Sequence, residues 1–246
     1  MQIHIRIYGR LNDFISKENR QRSFIREIPE TTTVKDLIEG CGVPHTEMDV
    51  ILINGEPVHF NRQVADNDRV SVYPVFMKVD VPVELRLQKR SLHNPRFLAD
   101  VNLGRLARYL RLAGFDTAYR NDAKDPELVE QMKREDRVLL TRDRRLLMNG
   151  AVEAGYFVRS DIPVRQLEEV FYRFDLYRQR DPFSRCSNCN HRLSKVEKEA
   201  VKERLLPKTK RYVDDFSQCP ECRKVYWSGS HLDRLEPELQ KLLFSD

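Results

Sequence analysis

The residues able to do chemistry fall into two groups. Four cysteines stand as Cys186-x-x-Cys189 and Cys219-x-x-Cys222, with 29 residues between the pairs. Two such pairs fit tetrahedral Zn²⁺ held by four thiolates, and with every position filled by protein the site is structural rather than catalytic. The second group is a set of aspartates, each just past a short apolar run: Asp100 after "FLA" and Asp143 after "VLLTR". Carboxylates brought close together repel unless a cation compensates. Mg²⁺ suits such a group, because it takes a few carboxylates together with water and substrate phosphate oxygens.

Each aspartate also has a plainer reading as a helix N-cap, a role that Asp fills well, and one residue can do both. Asp122 and Asp125 follow "FDTAY", and Asp125 with Pro126 behind it reads as the cap of the next helix. Asp161, after "GYFVRS", is a fourth candidate and otherwise a turn residue. Thr141 offers a hydroxyl that either orders a water near the acids or caps the loop. Arg105, Arg108, Arg142, Arg144 and Arg145 lie close in sequence to these acids. They are structural ion pairs on one reading and contacts to nucleic-acid phosphates on the other, the latter weakening with salt. In the cysteine-rich region, His191 and His231 are surface histidines or contacts to RNA or the metal site. Tyr226 and Trp227 either stack on a base or pack the region against its neighbour, and packing is the expectation for Trp227. Cys41, alone, is expected to be a small buried residue.

These groups need elements to hold them. Residues 2–8 alternate with Ile3, Ile5 and Ile7 on one face, which predicts a half-buried strand, and a second strand is expected over 23–28. Thr33 and Asp36 have capping-box spacing ahead of a short helix, and Asn54-Gly55 marks a hairpin. A closing strand falls in "RVSVYPVF", and one further strand is expected in "VPVEL". From residue 94 onward strands and helices alternate, the pattern of a parallel sheet flanked by helices. Leu103, Leu106, Ala107 and Leu110 make one apolar stripe, with Arg105, Arg108 and Arg111 on a neighbouring one. Val164, Leu167, Val170, Phe171 and Phe174 form the apolar face of another helix. Between the cysteine pairs "VEKEAVKERL" predicts a helix, and "VYWSGSHLDRLEPELQKLL" a strand, a glycine turn and a last helix. In an open parallel sheet ligands gather outside the carboxyl ends of the strands, which is where Asp100 and Asp143 are expected to stand.

With 40% hydrophobic and 33% charged residues the chain is expected to be soluble, and no run is apolar enough for a membrane helix. Its start alternates rather than resembling a signal peptide, so a cytoplasmic location without disulfides is expected. The net charge of +5 is uneven. Residues 1–77 carry 9 basic against 11 acidic side chains, 78–182 carry 21 against 17, and 183–246 carry 13 against 10. The positive excess outside the first third favours a polyanionic partner only weakly. Four thiolates with one Zn²⁺ would cut the last segment's excess of +3 to about +1.

Two resemblances can be stated on these residues. "GVPHTEMDVILINGEPV" and "DNDRVSVYPVF" resemble the β-grasp fold of the small sulfur carriers, over residues 1–76. Those proteins end in a free Gly-Gly, whereas here "VYPVF" runs on into "MKVDVP", so docking of a protein partner is expected rather than sulfur transfer. "FLADVNLGRLARYLRLAGFDT", "DPELVEQMKREDRVLLTRDRRLL", "FSRCSNCNHRL" and "CPECRKVYWSGSH" resemble the Mut-seven C-terminal ribonuclease domain, a PIN-like nuclease with an attached zinc ribbon. That family is often fused to a ubiquitin-like domain. The resemblance implies a multidomain chain mixing α/β and α+β parts: a ubiquitin-like β-grasp domain over 1–77, a linker over 78–93, a PIN-like domain with a parallel sheet over 94–180, and a zinc ribbon over 181–246. It further implies hydrolysis of RNA with Mg²⁺ or Mn²⁺ held by Asp100, Asp125 and Asp143. Asp161 stands near a fourth acid of the family pattern, and Asp122 and Thr141 are further candidates. The alternative is a PIN-fold RNA-binding or adaptor protein that does not cleave. Nothing in the sequence fixes an oligomeric state.

Overall fold

A computed structural model describes residues 1–76, 79–88, 93–227 and 236–244. In chain order the first elements are β1 (Gln2–Ile7), β2 (Ser23–Glu27), α1 (Val34–Gly40), β3 (Met48–Ile53), β4 (Glu56–Pro57) and β5 (Arg69–Pro74). Then come β6 (Phe97–Ala99), α2 (Gly104–Leu112), β7 (Thr117–Tyr119), α3 (Asp125–Glu135), β8 (Val138–Thr141), α4 (Arg144–Leu147), β9 (Gly155–Phe157) and α5 (Pro163–Phe174). The last stretch holds β10 (Ser194–Val196), α6 (Lys198–Val201), α7 (Pro207–Tyr212), β11 (Phe216–Gln218), β12 (Val225–Trp227) and α8 (Pro237–Phe244). The chain divides into two compact units, residues 1–91 with 124–157, and residues 92–123 with 158–246.

The first unit begins with a β-grasp sheet in the order β2-β1-β5-β3-β4, with β1 and β5 parallel and the other pairs antiparallel. Ile3, Ile5 and Ile7 are almost completely buried beneath α1, whose Val34, Leu37 and Ile38 complete the core. The helix starts where Thr33 Oγ1 accepts from the Asp36 amide at 3.2 Å, the expected cap. Asn54 and Gly55 both have positive φ, the twist a two-residue hairpin demands. "VPVEL" forms no strand: Val83–Leu85 is a 3-10 turn. There Arg86 Nη1 pairs with buried Asp49 Oδ2 at 3.0 Å, and Gln88 Nε2 donates to the carbonyls of His45 and Met48. The backbone is satisfied without a ladder: the Leu85 and Arg86 amides donate within the turn, to Pro82 O and Val83 O, and the Leu87 amide donates to Asp49 O.

Residues 124–157 complete this unit with α3, the parallel pair β8–β9, and α4. Here α3 begins one residue earlier than the proline predicts: Lys124 is the N-cap, Asp125 and Pro126 lie in the first turn, and Glu127 accepts from the Lys124 amide at 3.4 Å.

The second unit holds the parallel pair β6–β7, α2, α5 and the cysteine-rich region. Leu103, Leu106, Ala107 and Leu110 are buried as expected, as are Val164, Leu167, Val170, Phe171 and Phe174. Gly114 ends α2 at φ +97°, where an added Cβ would collide with the Asp181 backbone carbonyl, so the site accepts only glycine. The cysteine-rich region is an antiparallel sheet, β10-β11-β12. "VEKEAVKERL" is not one helix: its first residue, Val196, pairs with Phe216 of β11, and the rest splits into α6 and a 3-10 turn over Lys202–Arg204. The glycine turn after β12 and His231 lie outside the described residues.

Candidate metal centres

The four cysteines of the two pairs come together. Their sulfurs all lie within 4.8 Å of one another, with Cys186–Cys222 at 3.5 Å and Cys189–Cys219 at 3.3 Å. A tetrahedron with 2.3 Å Zn–S bonds needs edges of roughly 3.8 Å, so the donor set fits a divalent metal. Two matching turns bring this about. In one the Cys186 amide donates to His191 O and the Asn190 amide to Cys186 O; in the other Cys219 donates to Lys224 O and Arg223 to Cys219 O. Asn190 and Arg223, each four residues past the first cysteine of its pair, both have positive φ.

The protonation of these thiols is contested. Burial pushes the Cys186 thiol up, but hydrogen bonds from the Tyr226 hydroxyl and from the Cys189 and Asn188 backbone outweigh it and hold it down at about 6. Burial and the crowding of the other thiols push Cys189 up to about 12. One sulfur ready to ionise beside one forced to keep its proton is the conflict a bound cation removes. Tyr226 Oη lies 3.1 Å from Cys186 Sγ and accepts from the Ser187 amide at 3.0 Å, so Tyr226 fixes the first turn rather than offering its hydroxyl to solvent.

That turn is fastened to the body of its unit. Arg111, expected on the arginine stripe beside Arg105 and Arg108, is buried instead, whereas those two are exposed. Its Nη1 donates to Asn188 O at 2.7 Å and its Nε to Thr117 O at 2.8 Å. Asn190 accepts from the Thr117 amide at 3.0 Å and donates to Asp116 Oδ1 at 2.9 Å. Sequence reasoning missed both residues; the one available signal was that Arg111 directly follows Leu110 of the apolar stripe.

Each aspartate is held by its own element of the chain. Asp100 directly follows β6, is buried, and caps the 3-10 turn Val101–Leu103 through Oδ1, 2.6 Å from the Val101 amide. Asp143 follows β8 and caps α4, its Oδ1 accepting from Arg145 N at 2.7 Å and Leu146 N at 3.4 Å. Both hydrogen bonds use one oxygen, so Asp143 Oδ2 stays open toward solvent. Asp125 is exposed in the first turn of α3, Asp122 is exposed and paired with Arg120 at 3.1 Å, and Asp161 is exposed. Asp125 and Asp143 belong to the first compact unit, Asp100 and Asp161 to the second. Thr141 is fully buried, and its Oγ1 accepts from the Asp143 amide at 2.9 Å, fixing the turn that aims Asp143.

The arginines near Asp143 differ in their engagement. Arg137 is buried with Nε 2.6 Å from Glu135 Oε2. Arg144 donates to Phe14 O at 3.2 Å and lies over the Phe14 ring, so the β-grasp domain holds the residue next to Asp143. Arg145 is exposed and Arg142 half-buried. Two buried side chains of the β-grasp domain reach the same segment. His45 places Nδ1 2.7 Å from Glu39 Oε1 and Nε2 2.7 Å from Val152 O, and Glu47 Oε1 accepts from the Phe157 amide at 2.6 Å. Cys41 is half-buried, not buried; Arg26 Nη1 donates to its sulfur at 3.2 Å, and burial raises its thiol.

A β-grasp domain followed by parallel α/β elements and a four-cysteine ribbon defines a ubiquitin-like domain joined to a nuclease-type domain. The chain belongs to the Mut7-C RNAse domain family, whose model matches residues 95–239, and the Mut7-C ubiquitin model matches residues 1–80. No curated protein matches the chain. Among solved structures it is similar to "Crystal structure of SAMP1 from Haloferax volcanii", at 14% identity over 31% of this chain and 97% of that one, with a TM-score of 0.25.

Proposed function

We propose that this chain is a divalent-metal-dependent ribonuclease, with Asp100, Asp125 and Asp143 holding Mg²⁺ or Mn²⁺ and the four cysteines holding a structural Zn²⁺. The observation that carries the reading is Asp143 in a chain of this family: one carboxylate oxygen is pinned by the α4 backbone and the other left open at the carboxyl end of a parallel strand. That is how a capping acid can shape the fold and still coordinate. When bound, the cation supplies the positive charge that an in-line attack on a phosphodiester develops against. The protein's own share is positional. Thr141 orients the Asp143 turn, the capped turn after β6 fixes Asp100, and exposed Arg105, Arg108 and Arg145 meet phosphates, joined by Arg142 at the edge of the same turn. Arg144 contributes mainly by bracing α4 on Phe14. Asp122 and Asp161 stand as auxiliary acids. Functionally the chain then divides into 1–77, 78–93, 94–180 and 181–246, works in the cytoplasm, and takes RNA as substrate, with the β-grasp domain available to a protein partner.

A second reading, an RNA-binding adaptor that does not cleave, draws on the capping roles of Asp100 and Asp143, which explain both acids without a metal. Asparagine caps helices as well as aspartate does, so Asp100→Asn and Asp143→Asn keep the caps and remove the charge. Labelled single-stranded RNA is incubated with Mn²⁺ or Mg²⁺ and each protein. The ribonuclease reading expects metal-dependent cleavage by the wild type and a loss of at least about a hundredfold in each variant. RNA that binds but stays intact in every reaction supports the adaptor, and cleavage surviving both substitutions removes these acids from the mechanism.

A further inference from the structure

The ribbon presents one helix whose outer side no packing explains. In α7 Thr209 is buried, and Val213, just past its end, packs on the Val201–Leu205–Phe216 cluster, so this side of the helix is fixed against the ribbon core. Lys208, Arg211 and Tyr212, at i, i+3 and i+4, share the other side and are all exposed. Pro207 in the first turn sets where the helix starts. Leu206 and Tyr212, at its two ends, are the most exposed large apolar side chains among the described residues, at 70% and 72%. The Arg211 guanidinium stands over the Tyr212 ring, 5.5 Å from its centroid, and the ring stays open to solvent even so.

The charges on this helix differ from those just before it. Lys198 pairs with Asp214 at 2.8 Å and Lys202 with Glu199 at 3.1 Å. Lys208, Lys210 and Arg211 pair with no acid among the described residues. With Asp214 engaged by Lys198, residues 205–215 set these three cations against Asp215 alone. A run of surface cations is ordinarily a solvated face. Here two of them flank an exposed ring, which suits a ligand carrying anionic groups on either side of a flat apolar one. An acidic peptide would use the cations and leave the ring idle. A bilayer needs an apolar helix face, and that of α7 is turned to its own core. We propose that the outer side of α7 binds single-stranded RNA, stacking a base on Tyr212 while Lys208 and Arg211 meet the flanking phosphates. The proposal rests on RNA being the substrate. It makes the ribbon a substrate-holding domain as well as a metal-stabilised one.

Lys208, Arg211 and Tyr212 are exposed, so substituting them leaves the ribbon core as it is. Zinc-loaded full-length protein carrying Asp143→Asn, to prevent cleavage, is titrated into a labelled short oligoadenylate and into a labelled abasic ribose-phosphate oligomer of the same length. Binding is followed by anisotropy of the label. Tyr212→Ala should weaken oligoadenylate binding about tenfold and Tyr212→Phe should keep it, with neither altering affinity for the abasic oligomer. Lys208→Ala and Arg211→Ala should each lower the slope of log affinity against log salt by about 0.7. An unaltered oligoadenylate affinity in Tyr212→Ala overturns the proposal, as does an equal loss for the abasic oligomer or a salt slope unchanged in both cation variants. Tyr212-dependent binding of phosphatidylserine vesicles or of polyglutamate, in place of the oligoadenylate, assigns a membrane or an acidic protein and overturns it too. Cleavage by protein with Asp143 intact is measured in parallel. Cleavage together with unaltered affinity in Tyr212→Ala removes the α7 site and leaves the nuclease. Lost affinity in Tyr212→Ala without any cleavage removes the nuclease and leaves the α7 site.

Discussion

The β-grasp domain and the ribbon attach to the middle of the chain in the same way but are built differently. Each forms one compact unit with part of the nuclease-family region, the first with residues 124–157 and the second with 92–123 and 158–180. Each uses polar side chains that grip backbone: His45, Glu47 and Arg144 at one attachment, Arg111, Arg185 and Asn190 at the other. The contrast is in what stands behind the grip. The β-grasp domain has a continuous core running from Ile3 to Val72, with Phe157 packed against it. The ribbon has two small clusters, Cys186, Cys219 and Tyr226 in one and Val201, Leu205 and Phe216 in the other. So little buried area does not fold a domain unaided, and a metal held by the four cysteines would supply the difference.

Disturbing that metal tests the contrast most severely. In small zinc domains binding contributes on the order of 10–16 kcal/mol to folding, so Cys219→Ser or chelation should unfold the ribbon outright. Hydrogen exchange would then show fast amides over residues 186–227 while those of β1, β3 and β5 stay protected; loss of protection in both regions would end the claim that the β-grasp domain stands alone. The next effect in size concerns the ribbon's anchor. Arg111→Met keeps the buried stem but leaves the carbonyls of Thr117 and Asn188 without their charged donor, at a cost of about 3 kcal/mol. Urea unfolding followed at Trp227 measures it, and a loss below about 1 kcal/mol would mean that water replaces the guanidinium. At the other attachment Glu47→Ala removes the acceptor of the Phe157 amide and should cost about 1–2 kcal/mol. Its exchange signature should be confined to β9 and its neighbours, because the β-grasp core does not depend on that bond.

How far all this is readable from the residues follows the same divide. The alternation of β1, the Thr33 cap and the Asn54-Gly55 hairpin are local: each is written in a few adjacent residues whose period or turn chemistry permits little else. The cysteine centre is legible because two short motifs carry all four ligands. Contacts between distant segments carry no such mark. Arg111 looks like one more surface arginine until the Ser187-Asn188 turn arrives against it, and nothing near His45 announces Val152, 107 positions further on. "VPVEL" has the composition of a strand but closes on itself as a 3-10 turn, and "VEKEAVKERL" has the period of a helix but gives its first residue to a sheet. The acids fall between these cases. Each is marked by its place after an apolar run, but the cap role and the ligand role predict the same residue at the same place.

The finest distinction lies within the ribbon, between its two matching turns. Asn190 and Arg223 occupy equivalent positions with φ of 73° and 60°. Asparagine tolerates that region and is held there by Asp116 and the Thr117 amide, so its side chain does structural work. The Arg223 side chain has no such role in the turn; it is the Arg223 carbonyl that is used, accepting from Gln218 Nε2 at 3.0 Å. Arg223→Gly keeps that carbonyl and relieves the strain, so it should raise the zinc-loaded stability by about 0.5–1 kcal/mol, whereas Asn190→Gly should lower it despite the same relief. Thermal unfolding of the two variants side by side decides the matter. If both gain, the first turn is not held by Asn190, and its fastening to the body of its unit falls to Arg111 and Arg185; if both lose, Arg223 has a side-chain role and the two turns are alike.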